Sequence, residues 1–270
     1  MNRIAPALAV FLIATPALAC ELSLEGPAKQ GGLLIGTVTP GASVSVDGRA
    51  VRVSADGHFL VGFGRDAKSE ARVEAVMRDG RRLGCPVSVA RRHYQIQRID
   101  GLPKRQVTPD PKALARIRAD NAAIGKVRKL DTATTDFLAG FNWPLKGRIS
   151  GIFGSQRILN GQPRSPHNGV DIAAPTGTPI HAPAPGVVRL VHPDMFYTGK
   201  SIMLDHGHGL TSVYVHMSAI AVKEGQRVAK GDIIGKVGKT GRATGPHLHW
   251  GVSLFATHLD PTLLVGPMPN

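Results

Sequence analysis

The stretch TGPHLHW, Thr244–Trp250, decides how the carboxy-terminal half of this chain is read. In a strand, residues i and i+2 share a face, so His247 and His249 project together while Leu248 and Trp250 point the other way. One face is then chemical and the other is core. Outward from it, GVVRLV (Gly186–Val191), SIMLDHG (Ser201–Gly207), TSVYVHM (Thr211–Met217) and DIIGKVG (Asp232–Gly238) are short apolar runs separated by glycine or proline turns. The pattern predicts a compact β-roll or barrel, with no helical periodicity from about residue 141 to residue 265.

Upstream, PHNGVDIAAPTGTP (Pro166–Pro179) places His167 and Asp171 four residues apart. Gly169 and the Ala173-Ala174-Pro175 run argue for a loop entering a strand rather than a helix, and extended residues at i and i+4 still share a face. His, Asp and a further His suit Zn²⁺, and three protein ligands leave a fourth position for water, as in catalytic rather than structural zinc sites. Taken alone, either motif is weak. His206 and His208 have similar spacing in a glycine turn and read as turn residues, while His58, His93, His181, His192 and His258 have no partner motif.

The amino-terminal half reads differently. MNRIAPALAVFLIATPALAC has a basic residue, an apolar run and a small-x-small ending at Ala17-Leu18-Ala19, the pattern of a secretory signal peptide over 1–19. The run is too short to span a bilayer, so no transmembrane segment is expected in the mature protein. From residue 20 to about 95, alternating Val44, Val46, Val51 and Val53 with turn signals at Pro40-Gly41, Asp47-Gly48 and Asp56-Gly57 predict a small β-sandwich, with an immunoglobulin-like form as one option. The two cysteines, Cys20 and Cys85, read as a disulfide in an exported protein, the alternative being a lipid-modified Cys20. Over 96–140 a helical linker is predicted: Asp110-Pro111 caps it, and Leu114, Ile117, Ile124 and Val127 recur at helical spacing.

The chain carries 33 Lys and Arg against 19 Asp and Glu, a formal charge of +14. That charge attracts polyanions. Export and an aromatic content of 5% argue against nucleic acid and for anionic polymers of the cell envelope.

Together, HNGVDIAAPTGTPI, VYVHM and VKEGQRVAKGDIIGKVGKTGRATGPHLHWGV resemble, in order and spacing, the lysostaphin-type or LytM-type zinc endopeptidases that cut peptidoglycan peptides. The likeness runs from Trp143 to Val252, and GRISGIFGSQR looks like the first strand of that domain, here placed at 141–265. The resemblance implies one Zn²⁺ per chain on His167, Asp171 and His249, with His216 and His247 as catalytic, non-ligand histidines. It also implies peptidoglycan peptides as substrate, and the signal-peptide pattern implies export to the periplasm or envelope. A non-catalytic relative that binds peptidoglycan or activates an amidase is the alternative. Some relatives carry a tyrosine shortly before the first motif; Gly161–Pro166 contains none, which leaves Arg157 and Arg164 as candidates for that role.

Overall fold

The computed structural model describes residues 22–100 and 111–269. The signal-peptide segment and Cys20 lie outside them. The fold is mainly β, with a single α-helix among the described residues.

The first seven strands are β1 (Ser23–Glu25), β2 (Leu33–Thr37), β3 (Ser43–Val46), β4 (Arg49–Val51), β5 (His58–Gly62), β6 (Glu70–Val76) and β7 (Arg82–Ser88). They form two sheets of order β1-β2-β5 and β4-β3-β6-β7, the sandwich the alternation predicts. Val44 lies opposite Val51, and the hairpin between them turns at Asp47-Gly48, whose φ values of 49° and 77° are both left-handed. Such a turn favours Asx-Gly because both central residues need positive φ. Phe59, fully buried, packs with Leu34, Val61, Val73 and Cys85 between the sheets. Cys85 is not a free thiol; its expected partner, Cys20, lies outside the described residues.

Next come β8 (Ile96–Ile99), helix α1 (Pro111–Arg128), a 3-10 turn over Asp136–Ala139, β9 (Arg148–Gly151), β10 (Gln156–Leu159), β11 (Gln162–Pro163), β12 (Val170–Ala173), β13 (Pro179–His181) and β14 (Gly186–Met195). Then follow β15 (Gly199–Asp205), β16 (Leu210–Met217), β17 (Ala219–Ile220), β18 (Arg227–Val228), β19 (Ile233–Lys236), β20 (His247–Leu254) and β21 (Thr257–Leu259). Eight strands make one sheet, β18-β14-β15-β16-β20-β12-β9 with β21 on β20, and β13-β19-β17 make a second.

The segment read from sequence as a helical linker is only partly helical. Its first part, β8, pairs in parallel with β10, a long-range contact that the local sequence does not announce. The helix is more than a connector. Ala123, Ile124 and Val127 pack on Leu190, Met195 and Met203, and the buried Asp120 accepts the N–H of Phe196 at 2.7 Å, so α1 braces the β14–β15 hairpin. Its Lys112, Arg118 and Lys126 are exposed, as a solvated face requires. No helix among the described residues is long and apolar enough to cross a membrane.

The two halves share a core. Leu33 and Leu60 of the sandwich belong to the same buried cluster as Phe137, Ile172, Tyr214 and Trp250, and a Cβ on Gly62 would sit 2.9 Å from the Leu254 side chain. Both tryptophans of the chain, Trp143 and Trp250, lie in the carboxy-terminal half. Leu60→Ala should therefore cost about 2–5 kcal/mol of stability and lower the urea midpoint reported by tryptophan fluorescence. An unchanged fluorescence transition would mean that the sandwich unfolds separately.

Candidate metal centre

Strands β12 and β20 run antiparallel with Asp171 directly opposite His249 and Ala173 opposite His247. Residues paired this way share a face. Asp171, His247 and His249 therefore gather on one side of the sheet, while Ile172, Leu248 and Trp250, all fully buried, form the core on the other. His167 reaches the same side from the loop before β12. Its N–H donates to Ser155 O at 2.8 Å, and its carbonyl accepts Gly154 N–H at 2.8 Å.

Three ligand-type atoms converge. His167 Nε2 lies 3.0 Å from Asp171 Oδ1 and 2.9 Å from His249 Nδ1, and His249 Nδ1 lies 2.8 Å from Asp171 Oδ1. Ile152 O, 3.0 Å from His167 Nδ1, accepts that nitrogen's hydrogen, which leaves Nε2 of the neutral ring with a lone pair. Lone pairs of two imidazoles and a carboxylate so close together repel unless a cation or a proton lies among them. Tetrahedral Zn²⁺ bound at 2.0–2.1 Å needs donors about 3.3 Å apart, so small side-chain rotations fit this set to the ion. Among the described residues, no other group of three or more His, Cys, Asp or Glu side chains converges in this way.

The local electrostatics match a cation site. Burial resists ionisation of Asp171, but its close contacts with the His167 and His249 rings and the positive charge those rings can carry outweigh it and hold the carboxyl well below its ordinary range. Burial also disfavours protonation of His167, yet contact with Asp171 raises its pKa overall. Burial lowers that of His249.

His247 and His216 stand beside the triad. Their ring centroids are 4.7 Å apart, and His247 Nε2 is 3.9 Å from Asp171 Oδ1. His247 Nδ1 is held at 2.8 Å by Gly245 O, and His216 Nδ1 at 2.8 Å by Thr240 O, so each neutral ring keeps a free lone pair on Nε2. Strict alternation would turn His216 away from the site, because its neighbour Val215 is the residue opposite His249. Instead the β15–β16 register shifts between Lys200 and Ile202, and His216 adopts φ 62°, which re-aims the ring. A non-glycine residue held there is strained. Burial, then repulsion from His247 and His249, pushes His216 down to about 4, against the opposing Thr240 hydrogen bond.

Two glycines make the room; sequence reading took Gly169 only as a loop signal and did not single out Gly151. A Cβ on Gly151 would lie 2.3 Å from Asp171 Oδ2, and one on Gly169 would lie 2.4 Å from Trp250 O and 2.9 Å from the His249 ring. Their signal, close approach to another strand, exists only once β9, β12 and β20 are paired.

Two further histidines take structural roles. His206 is fully buried between Pro185 O and Ser212 Oγ, at 2.6 and 2.7 Å, and His208 packs edge-on against Phe137 at φ 50°. Tyr197 lies under the Arg242 guanidinium at 4.1 Å, and Arg157 and Arg164 sit on the β10–β11 hairpin, where Arg164 N–H donates to Arg157 O.

Gly151→Ala should displace the Asp171 carboxylate and weaken zinc binding about tenfold or more while the sheet still folds; competition with a chromogenic chelator measures this. For His216, the depressed pKa favours the neutral ring in the fold. That stability is present above the ordinary value of 6.5 and lost as the pH falls through about 4. In ¹⁵N spectra of the metal-free protein, His216 should therefore stay an Nδ1–H tautomer until the pH approaches about 4, and titration near 6.5 would contradict its burial.

Comparison with known proteins agrees with this geometry. Residues 165–261 match the family described as Peptidase family M23. Peptidoglycan DD-endopeptidase ShyA of Vibrio cholerae is 44% identical over 108 residues, 39% of this chain and 24% of that protein. DD-carboxypeptidase/endopeptidase Mpg of Neisseria meningitidis is 41% identical over 104 residues, 38% of this chain and 24% of its own length. The chain thus spans about a quarter of the length of these curated relatives. A crystal structure from Pseudomonas aeruginosa, described as a peptidase M23, is 31% identical with a TM-score of 0.68 and covers 88% of this chain and 94% of its own, so that likeness extends into the amino-terminal half. With the match at 165–261 and that near-complete overlap, the chain belongs to peptidase family M23.

Proposed function

We propose that this protein is a zinc-dependent endopeptidase that hydrolyses peptide cross-links or stem peptides of peptidoglycan. One observation carries the reading. On a single face, three atoms suited to a metal converge beside two histidines whose Nε2 lone pairs remain free. His167, Asp171 and His249 are the ligands in this reading, one Zn²⁺ per chain, and His216 and His247 are the catalytic histidines. The unit at 141–265 carries the chemistry, joined to the sandwich at 20–95 through 96–140.

When bound, zinc supplies a Lewis acid that polarises the scissile carbonyl and makes water more acidic. The chain's own residues handle the proton. His216, neutral at physiological pH, accepts a proton at Nε2 as the water oxygen adds to the carbonyl carbon. It returns that proton to the leaving nitrogen as the C–N bond breaks, giving a carboxylic acid and an amine, and the acid then passes its proton to the amine. His247 Nε2, with its lone pair free, accepts a hydrogen bond from the water and orients it. The Thr240 and Gly245 carbonyls hold both rings in the tautomer these steps need.

The names of the Vibrio and Neisseria relatives support a D,D-cross-link as the bond cut. The charge of +14 supports attraction to an anionic envelope polymer, and the signal-peptide pattern supports export to the periplasm or envelope.

The ligand and base roles separate by mutation. His249→Ala should lose zinc and hydrolysis together. His216→Ala and His247→Ala should each keep one zinc while hydrolysis of sacculi falls by about 10²–10⁴-fold. Metal analysis and mass spectrometry of released fragments read both quantities, and zinc retained at wild-type affinity in His249→Ala would overturn the ligand assignment.

A further inference from the structure

Two of the three proposed ligands sit on paired strands, but His167 sits on a loop, and a loop ligand is only as well placed as what holds the loop. The segment Ile152–Ser155 does the holding. Ile152 O takes His167 Nδ1–H at 3.0 Å, Gly154 N–H donates to His167 O at 2.8 Å, and Ser155 O accepts His167 N–H at 2.8 Å.

That segment is gripped in turn by the amino-terminal half. Arg65, in the loop after β5, donates its Nε–H to Gly154 O at 2.7 Å. The Tyr94 ring packs flush against Gly154. A Cβ on that glycine would lie 2.2 Å from the ring, and its φ of 80° also demands glycine. Arg65 and Arg92 place their guanidinium carbons 4.6 and 5.5 Å from the centre of the Tyr94 ring, and Phe153 meets it edge-on at 6.3 Å. Cation–π contacts of this kind orient the ring. Arg92 is anchored to the buried Asp260 at 2.8 Å and to Gln30 O at 3.1 Å, which fixes the stack to both halves of the chain.

We infer that Arg65 and Tyr94 are positioning residues for His167, so that the amino-terminal half helps to build the metal centre through Gly154. The inference rests on the assignment of His167 as a ligand. Groups that orient a metal ligand typically contribute tenfold to a hundredfold in metal affinity.

The test uses the full chain and zinc itself, titrated against a chromogenic chelator, with the absorption spectrum of the cobalt-loaded protein as a second readout. Arg65→Ala and Tyr94→Leu should each weaken zinc binding by about tenfold to a hundredfold and alter the cobalt spectrum, with the metal-free melting temperature close to wild type. Arg65→Lys, which keeps a donor for Gly154 O, should recover most of the lost affinity. Arg72→Ala, which removes an exposed pair with Glu74 elsewhere on the sandwich, should change neither readout. Wild-type zinc affinity in Arg65→Ala or Tyr94→Leu would overturn the inference, and so would Arg65→Lys binding no better than Arg65→Ala. Should Arg65→Ala not fold, Tyr94→Leu and Arg65→Lys decide by the same criteria. A wild-type chain that binds no zinc would instead refute the metal assignment.

Discussion

The pairing of Asp171 with His249 across two antiparallel strands is the constraint on which the rest of the molecule depends. With that register, the carboxylate and the imidazoles lie on one face and Ile172, Leu248 and Trp250 on the other. Slipping β20 by one residue would drive the histidines into the core and the tryptophan into the site, so core packing and site chemistry enforce the same alignment. The glycines at 151 and 169 follow from it, because the side chains gathered there need space that no Cβ may occupy.

A second layer of control comes from carbonyl oxygens. Ile152, Thr240 and Gly245 each take the Nδ1 hydrogen of a histidine and so turn its Nε2 lone pair toward the centre. His249 alone presents Nδ1. Thr240 is itself fixed, donating to Met217 O and accepting Lys200 N–H, both at 2.9 Å. The backbone thereby decides which nitrogen of each ring is basic, and burial pushes His216 down to about 4.

Much of this was legible in the sequence, for reasons that particular residues make plain. Strand alternation at His247-Leu248-His249-Trp250 is a local property, and it separated the chemical face from the core face. The valines and Asx-Gly turns of the sandwich are equally local. His216 was found through its motif and not through periodicity, since plain alternation would have aimed it wrongly; the left-handed kink that corrects it is a product of tertiary pairing. The strand at Ile96–Ile99, the grip of Arg65 on Gly154 and the clearance at Gly151 all join residues 20 or more positions apart, and nothing in their own neighbourhoods signals the partner.

The shared core has a consequence for how such a chain can be rearranged over evolutionary time. Leu33 and Leu60 leave the sandwich to join the catalytic unit's interior, and Gly62 lies flat against Leu254 and Leu259. A recombination event that cut between the halves would expose apolar surface on both pieces and invite aggregation. Shuffling this catalytic unit onto another partner would therefore require polar replacements at that seam, or a new partner that covers it. The sandwich is thus a lid on its neighbour's core.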